Sequence, residues 1–169
     1  MKPHHVLILA ALLVLGGGVY AAFSAPPEAS KITAIVIPSV IALVFLVFAA
    51  LNFKKQSRGM ITAAVVACVM FTALIAFPAF RRTMGMTHYP DASKAWTEAA
   101  TKDTTLVPRA TADRAIRKAF FKELGSPDHD QTYLVVSLWF ITGVCAMSGL
   151  TLLFQRTASR KKSDEAARA

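Results

Sequence analysis

The sequence predicts an all-α membrane protein: four transmembrane helices, with an amphipathic extracytoplasmic helical segment between the third and the fourth. Three observations carry this. Four apolar runs, 6–23, 32–51, 60–80 and 133–154, contain no Asp, Glu, Lys or Arg. Each is about 20 residues long, enough to cross roughly 30 Å of hydrocarbon as a helix. Lipid offers no hydrogen-bond partners, so a spanning segment must satisfy its backbone internally as a helix or a closed barrel, and the alternation of barrel strands is missing. Finally, basic residues gather beside the runs, as the positive-inside rule expects.

Composition agrees. A chain of 169 residues that is 54% hydrophobic, with mean hydropathy +0.47, is too apolar in runs too long for a water-soluble domain. The net charge of +9 suits anionic headgroups. It does not indicate nucleic acid, because neither an aromatic-interleaved basic patch nor a recognised motif accompanies it. The expected partners are the lipid bilayer and a protein of a larger membrane complex.

The first run, VLILAALLVLGGGVYAAF, is read as a retained spanning helix. The alternative of a cleaved signal peptide stays open, given the small residues at 21–25 and Pro26-Pro27 beyond. Gly16, Gly17 and Gly18 let another backbone approach. After the turn 24–31, Ser30 is the expected N-cap of the second span. That span contains Pro38, which removes one backbone hydrogen bond and is expected to kink or open the helix.

The third span places Ala64, Cys68, Thr72 and Ala76 at four-residue spacing, a close-packing stripe. The fourth offers Gly143, Cys145 and Gly149 as the facing surface, with Ser137, Thr142 and Ser148 available for hydrogen bonds. If these two spans are antiparallel neighbours, Cys68 and Cys145 lie at similar depth as two small buried residues.

Between them, 81–132 is polar. A short helix is expected over 92–101, with Asp91 as its cap. A second is expected over 112–124, with Thr111 as N-cap, Gly125 as stop and Pro127 beyond. Ala112, Ala115, Ile116, Ala119, Phe120 and Leu124 form its apolar arc, against Arg114, Arg117, Lys118 and Lys122. The pattern is imperfect, since Phe121 falls among the basic residues and Asp113 and Glu123 intrude on the arc. Too few large apolar side chains are present for an independent core, so the segment must lean on the helix ends or headgroups. Trp96, Phe120 and Phe121 are its expected contact residues, and 155–169 its counterpart as a flexible basic tail.

The charges at Lys2, at Lys54, Lys55 and Arg58, and at Arg156, Arg160, Lys161 and Lys162 fall on one side of a four-span protein. That places both termini in the cytoplasm, and the compact loops suggest a bacterial inner membrane. Arg81 and Arg82 face the other way, which a long translocated loop tolerates.

Chemistry is sparse. No span holds an ionisable residue of the kind that marks proton relays, and paired axial histidines for a haem are missing from the spans. His88 and His129, with Asp91, Asp128 and Asp130, are the only metal candidates. No nucleophile elbow, phosphate-binding glycine loop or HExxH motif occurs, so neither enzymatic activity nor a cofactor is expected.

The stretch Gly16-Gly17-Gly18-Val19-Tyr20, a second helix rich in small and branched residues, and a third ending near Arg81 make residues 5–86 resemble the transmembrane protein 14 family of small four-helix membrane proteins. The resemblance implies handling of small amphiphiles such as porphyrins or lipids and transfers no functional residue. The polar insert before the fourth span departs from that pattern. Two roles are therefore expected: a structural or accessory subunit, or a small carrier for an uncharged or amphiphilic solute.

Overall fold

The computed structural model describes residues 2–26, 31–54 and 58–166. Among these the chain is entirely helical: α1 (Pro3–Ser24), α2 (Lys31–Lys54), α3 (Arg58–Thr87), α4 (Tyr89–Lys102), α5 (Leu106–Ala112), α6 (Arg114–Glu123) and α7 (Thr132–Ala166). Four segments are long and apolar enough to cross a membrane: Pro3–Ser24, Ala34–Phe53, Arg58–Thr87 and Thr132–Ala158. The expected cap Ser30 lies outside the described residues, as does Lys55.

The helices outrun the apolar stretches that announce them. α3 continues past Phe80 to Thr87, because Arg81 and Arg82 end the apolar character without ending the backbone hydrogen bonding; arginine is a good helix former. α7 likewise runs on to Ala166, where a flexible tail was expected. α4 begins at Tyr89 with Pro90 in its first turn, the position at which a missing N–H costs nothing. Asp91 therefore sits inside the first turn, facing the positive end of the helix dipole, and is not the cap.

The helix expected over 112–124 is α6 with its start moved to Arg114, because a separate short helix, α5, ends at Ala112. Thr111 is spent inside α5, its hydroxyl donating to the Val107 carbonyl at 2.9 Å. The cap of α6 is Asp113, whose carboxylate accepts from the Ala115 N–H at 2.9 Å. Gly125 stops α6 as expected. At φ +64° it takes the left-handed conformation that L side chains resist. The Gly125 N–H then bonds the Lys122 carbonyl at 3.1 Å and the Ser126 N–H bonds the Phe121 carbonyl at 2.9 Å, a Schellman ending.

Packing runs α2 to α1 to α7 to α3, each neighbour antiparallel. Gly18 abuts Pro38 while His4 meets Phe53 ring edge to ring face at 5.2 Å, which aligns α1 with α2. Gly17 faces Phe140 and Ile141, and the buried Ser137 hydroxyl donates to the Gly17 carbonyl at 2.7 Å, which joins α1 to α7. Cys68 lies against Gly149, and the Trp139 indole donates to the Thr83 hydroxyl at 3.0 Å, which joins α7 to α3. By contrast α2 and α3 touch sparingly, through contacts such as the edge-on pair Phe45 and Phe71 at 5.8 Å. Leu7, Val14, Phe45, Cys68, Ile141 and Leu152 form the shared core.

These directions put the start of α1, the end of α2, the start of α3 and the end of α7 together. α4 to α6, the cap segment, follow at the other end, where α4 touches the end of α3 and α5 touches both α4 and α6. The threonines of the long helices are satisfied locally: Thr62, Thr72, Thr83, Thr142 and Thr151 each donate to the carbonyl four residues back at 2.8–2.9 Å.

Candidate functional site

The stripe expected on α3 divides along the helix, for a geometric reason. Ala64 and Cys68 are buried, but Thr72 and Ala76 are only partly covered and the seam passes instead through Ile75 and Ala79. Four residues turn a helix through about 400°, so a strict four-residue spacing drifts roughly 40° per step. Eleven residues turn through about 1,100°, within roughly 20° of three full turns, so Ala64 and Ile75 align where Ala64 and Ala76 do not. On α7, Cys145 and Gly149 are buried at this seam. A Cβ on Gly149 would stand 3.1 Å from that of Cys68. Gly143 is exposed and lines a recess against α1. Both cysteines are buried and free.

Because α2 and α3 barely meet, a cleft of about 390 Å³ remains between them at the capped end, floored by α7. Ala34, Pro38 and Ile41 form one wall, Leu74 and Pro78 the other, and Ile141 the floor. Each proline lacks an N–H and leaves the carbonyl four residues earlier, Ala34 or Leu74, without its helical donor. Ser137 also lines the cleft, but its hydroxyl is already given to Gly17. The cleft is thus apolar apart from its mouth, where Arg82 stands.

An adjoining recess of about 410 Å³ shares Pro78 and Arg82 and adds Phe77, Arg81, Gly85, Pro127 and Gln131. There Arg82 Nη1 donates to Gln131 Oε1 at 2.5 Å, and the Arg81 guanidinium lies 6.0 Å from the Phe77 ring centre. Neither recess is lined by a carboxylate. Asp130, next along from Gln131, accepts from the Thr132 N–H at 2.8 Å at the head of α7. The Thr132 hydroxyl and N–H together hold its carboxyl below the usual range.

The cap is organised by an aromatic cluster. Phe121 is 1% exposed, stacked on Tyr89 at 6.1 Å and close to Trp96 and Phe120, with the Arg117 guanidinium 5.5 Å from its ring centre. The expected apolar arc is therefore misplaced. Ala112, Ala115, Ala119 and Leu124 are exposed, and the inward face is that of Phe121 with Arg117 laid over it. Two aromatic rings bury far more area than a row of alanines, so the helix turns to cover them. Phe121 is accordingly not an outward contact residue, while Trp96 and Phe120 are partly exposed.

His88 precedes α4, and His129 lies in the α6–α7 connection with Nδ1 2.7 Å from Asp128 Oδ1. Among the described residues no group of three or more His, Cys, Asp or Glu is arranged to hold a metal ion. Sequence reasoning missed two buried polar side chains at the opposite end, His4 and Asn52. Asn52 Nδ2 donates to the Phe48 carbonyl at 2.8 Å, while its Oδ1 and His4 Nδ1 find no hydrogen-bond partner. The available signal was the position of Asn52 between Leu51 and Phe53, in register with the apolar run.

The fold and clefts thus define an all-helical chain with four helices fit to cross a membrane. Comparison with protein-family models, with curated proteins and with solved structures found no match.

Proposed function

We propose that this chain is an integral membrane four-helix bundle of the bacterial inner-membrane type and serves, without enzymatic activity, as an accessory subunit of a larger membrane complex. Its termini are cytoplasmic, and the amphipathic cap α4–α6 is extracytoplasmic. The observation that carries the reading is the uncovered face of α3. Val66, Val69, Met70, Leu74 and Phe77 share one side of the helix and are each more than half exposed. Water-soluble monomers rarely present such a continuous apolar strip without a partner or lipid against it. Trp96 and Phe120 supply contacts from the cap.

Reporters at Ser93 and Gln56 are expected in opposite compartments; both in one compartment, or release of the protein by carbonate, overturns the membrane placement. Affinity purification in mild detergent is expected to yield a stoichiometric membrane partner, and recovery of a lone monomer overturns the accessory role.

The cleft favours a second reading, a carrier for an uncharged or amphiphilic solute that uses the gap at Pro38. The resemblance to the transmembrane protein 14 family bears on this reading alone. Liposomes containing the protein that neither bind nor pass any such solute remove it.

A further inference from the structure

We infer that the cleft between α2 and α3 is a binding site for one anionic phospholipid of the surrounding bilayer, an acyl chain lying between Pro38 and Leu74 and the phosphodiester meeting Arg82. The assignment rests on the membrane placement proposed above. The cleft, about 390 Å³, falls within the ~300–1,000 Å³ typical of ligand sites. Its walls hold no free hydrogen-bonding side chain, since the Ser137 hydroxyl is spent on Gly17. Apart from the Ala34 and Leu74 carbonyls that the two prolines leave without helical donors, the walls offer water no partner, and a hydrocarbon chain covers them at little cost.

The mouth is different in kind. Arg81 and Arg82 are exposed and, among the described residues, form no ion pair. The present partner of Arg82, the Gln131 amide, is neutral and readily exchanged for a phosphate, which matches the planar fork of a guanidinium. No carboxylate lines the approach to repel it. A helix from a second copy would instead bury two unpaired guanidiniums, so charge decides for the lipid. The recess between α1 and α7, about 460 Å³, carries no cation and is an internal contrast expected to show no headgroup preference.

The test is electron paramagnetic resonance on the full chain in phosphatidylcholine vesicles, with spin-labelled phosphatidylglycerol or spin-labelled phosphatidylcholine as probe. The wild-type chain is expected to immobilise phosphatidylglycerol preferentially. Arg82→Gln is expected to cut that preference about fivefold, or ~1 kcal/mol at ~1.4 kcal/mol per tenfold. Leu74→Trp, at a position already 64% exposed, is expected to fill the cleft and remove the preferred component without unfolding the chain. Arg58→Gln, at the opposite end, leaves it unchanged. Preference retained in Arg82→Gln overturns the proposal. So does its loss on adding inorganic phosphate, which assigns the site to a free anion, or cross-linking of two copies through a cysteine replacing Leu74. A chain that stays in the aqueous phase overturns the membrane placement itself. One that inserts but shows no headgroup preference overturns only the lipid site.

Discussion

Replacing Gly18 and Gly16 by alanine, two residues apart on α1, is expected to move stability in opposite directions. A Cβ on Gly16 meets nothing within 4 Å, so Gly16→Ala collects the ordinary helix-propensity gain of up to about 1 kcal/mol. A Cβ on Gly18 would stand 2.8 Å from both Cβ and Cγ of Pro38 and 3.1 Å from the Ala34 carbonyl oxygen. A pyrrolidine ring and a backbone carbonyl cannot rotate aside, so α1 and α2 must separate at a cost of about 1–3 kcal/mol. The propensity term is common to both variants and cancels. Gly18→Ala should therefore lie below Gly16→Ala by about 1–3 kcal/mol, roughly 5- to 140-fold in the unfolding equilibrium. Gly17→Ala falls between, because its contacts at 3.1 and 3.2 Å are with the rotatable side chains of Phe140 and Ile141. Unfolding in mixed micelles of rising dodecyl sulfate content, followed by helical circular dichroism, gives the order directly. A Gly18→Ala variant as stable as Gly16→Ala refutes the close approach of α1 to α2.

Phe121→Ala should disorganise the cap at a cost of about 3–5 kcal/mol, whereas Leu124→Ala, at a residue 44% exposed, should stay within about 0.5 kcal/mol. Limited proteolysis of 89–123 separates the two, and equal cleavage rates contradict the buried aromatic cluster. Hydrogen bonds from Thr132 hold the Asp130 carboxyl below its usual range, and bonds from the Thr105 hydroxyl and N–H do the same for Asp103. A depressed carboxylate contributes fully above the unfolded value of about 3.9, and that contribution fades as pH falls through the lower folded value. Amide-exchange protection at Thr132 should accordingly decline on acidification below roughly pH 4. In Asp130→Asn it should lose that pH dependence, and an unchanged profile in the variant counts against the bond.

Much of the long-helix architecture was legible because an uncharged run of about 20 residues is itself the physical requirement for a spanning helix. Helix ends were less legible. Hydropathy marks where the chemistry stops suiting lipid, and Arg81 continues a helix as readily as it ends an apolar run. A four-residue spacing points to Thr72 and Ala76 along α3, whereas the buried positions Ile75 and Ala79 keep the angle of Ala64 and Cys68. Phe121 was hidden for a different reason. A binary pattern weighs one phenylalanine among arginines as an intrusion, yet its ring and the aliphatic length of Arg117 together make the covered face. The cleft was not legible at all, because Pro38 and Pro78 are 40 residues apart and nothing local says that α2 and α3 stay apart.

The order of contacts has a bearing on how the chain comes together during synthesis. α1 and α2 emerge early, but beyond their mutual contact they are anchored to the rest mainly through α1 against α7. On the membrane placement proposed above, the hairpin waits in the bilayer, loosely tethered, until the last long helix offers Ser137 to the Gly17 carbonyl. A ribosome stalled before residue 133 would hold a hairpin and a single helix joined only by the sparse contacts of α2 with α3. A protease that clears half-made chains would meet its best substrate at that point.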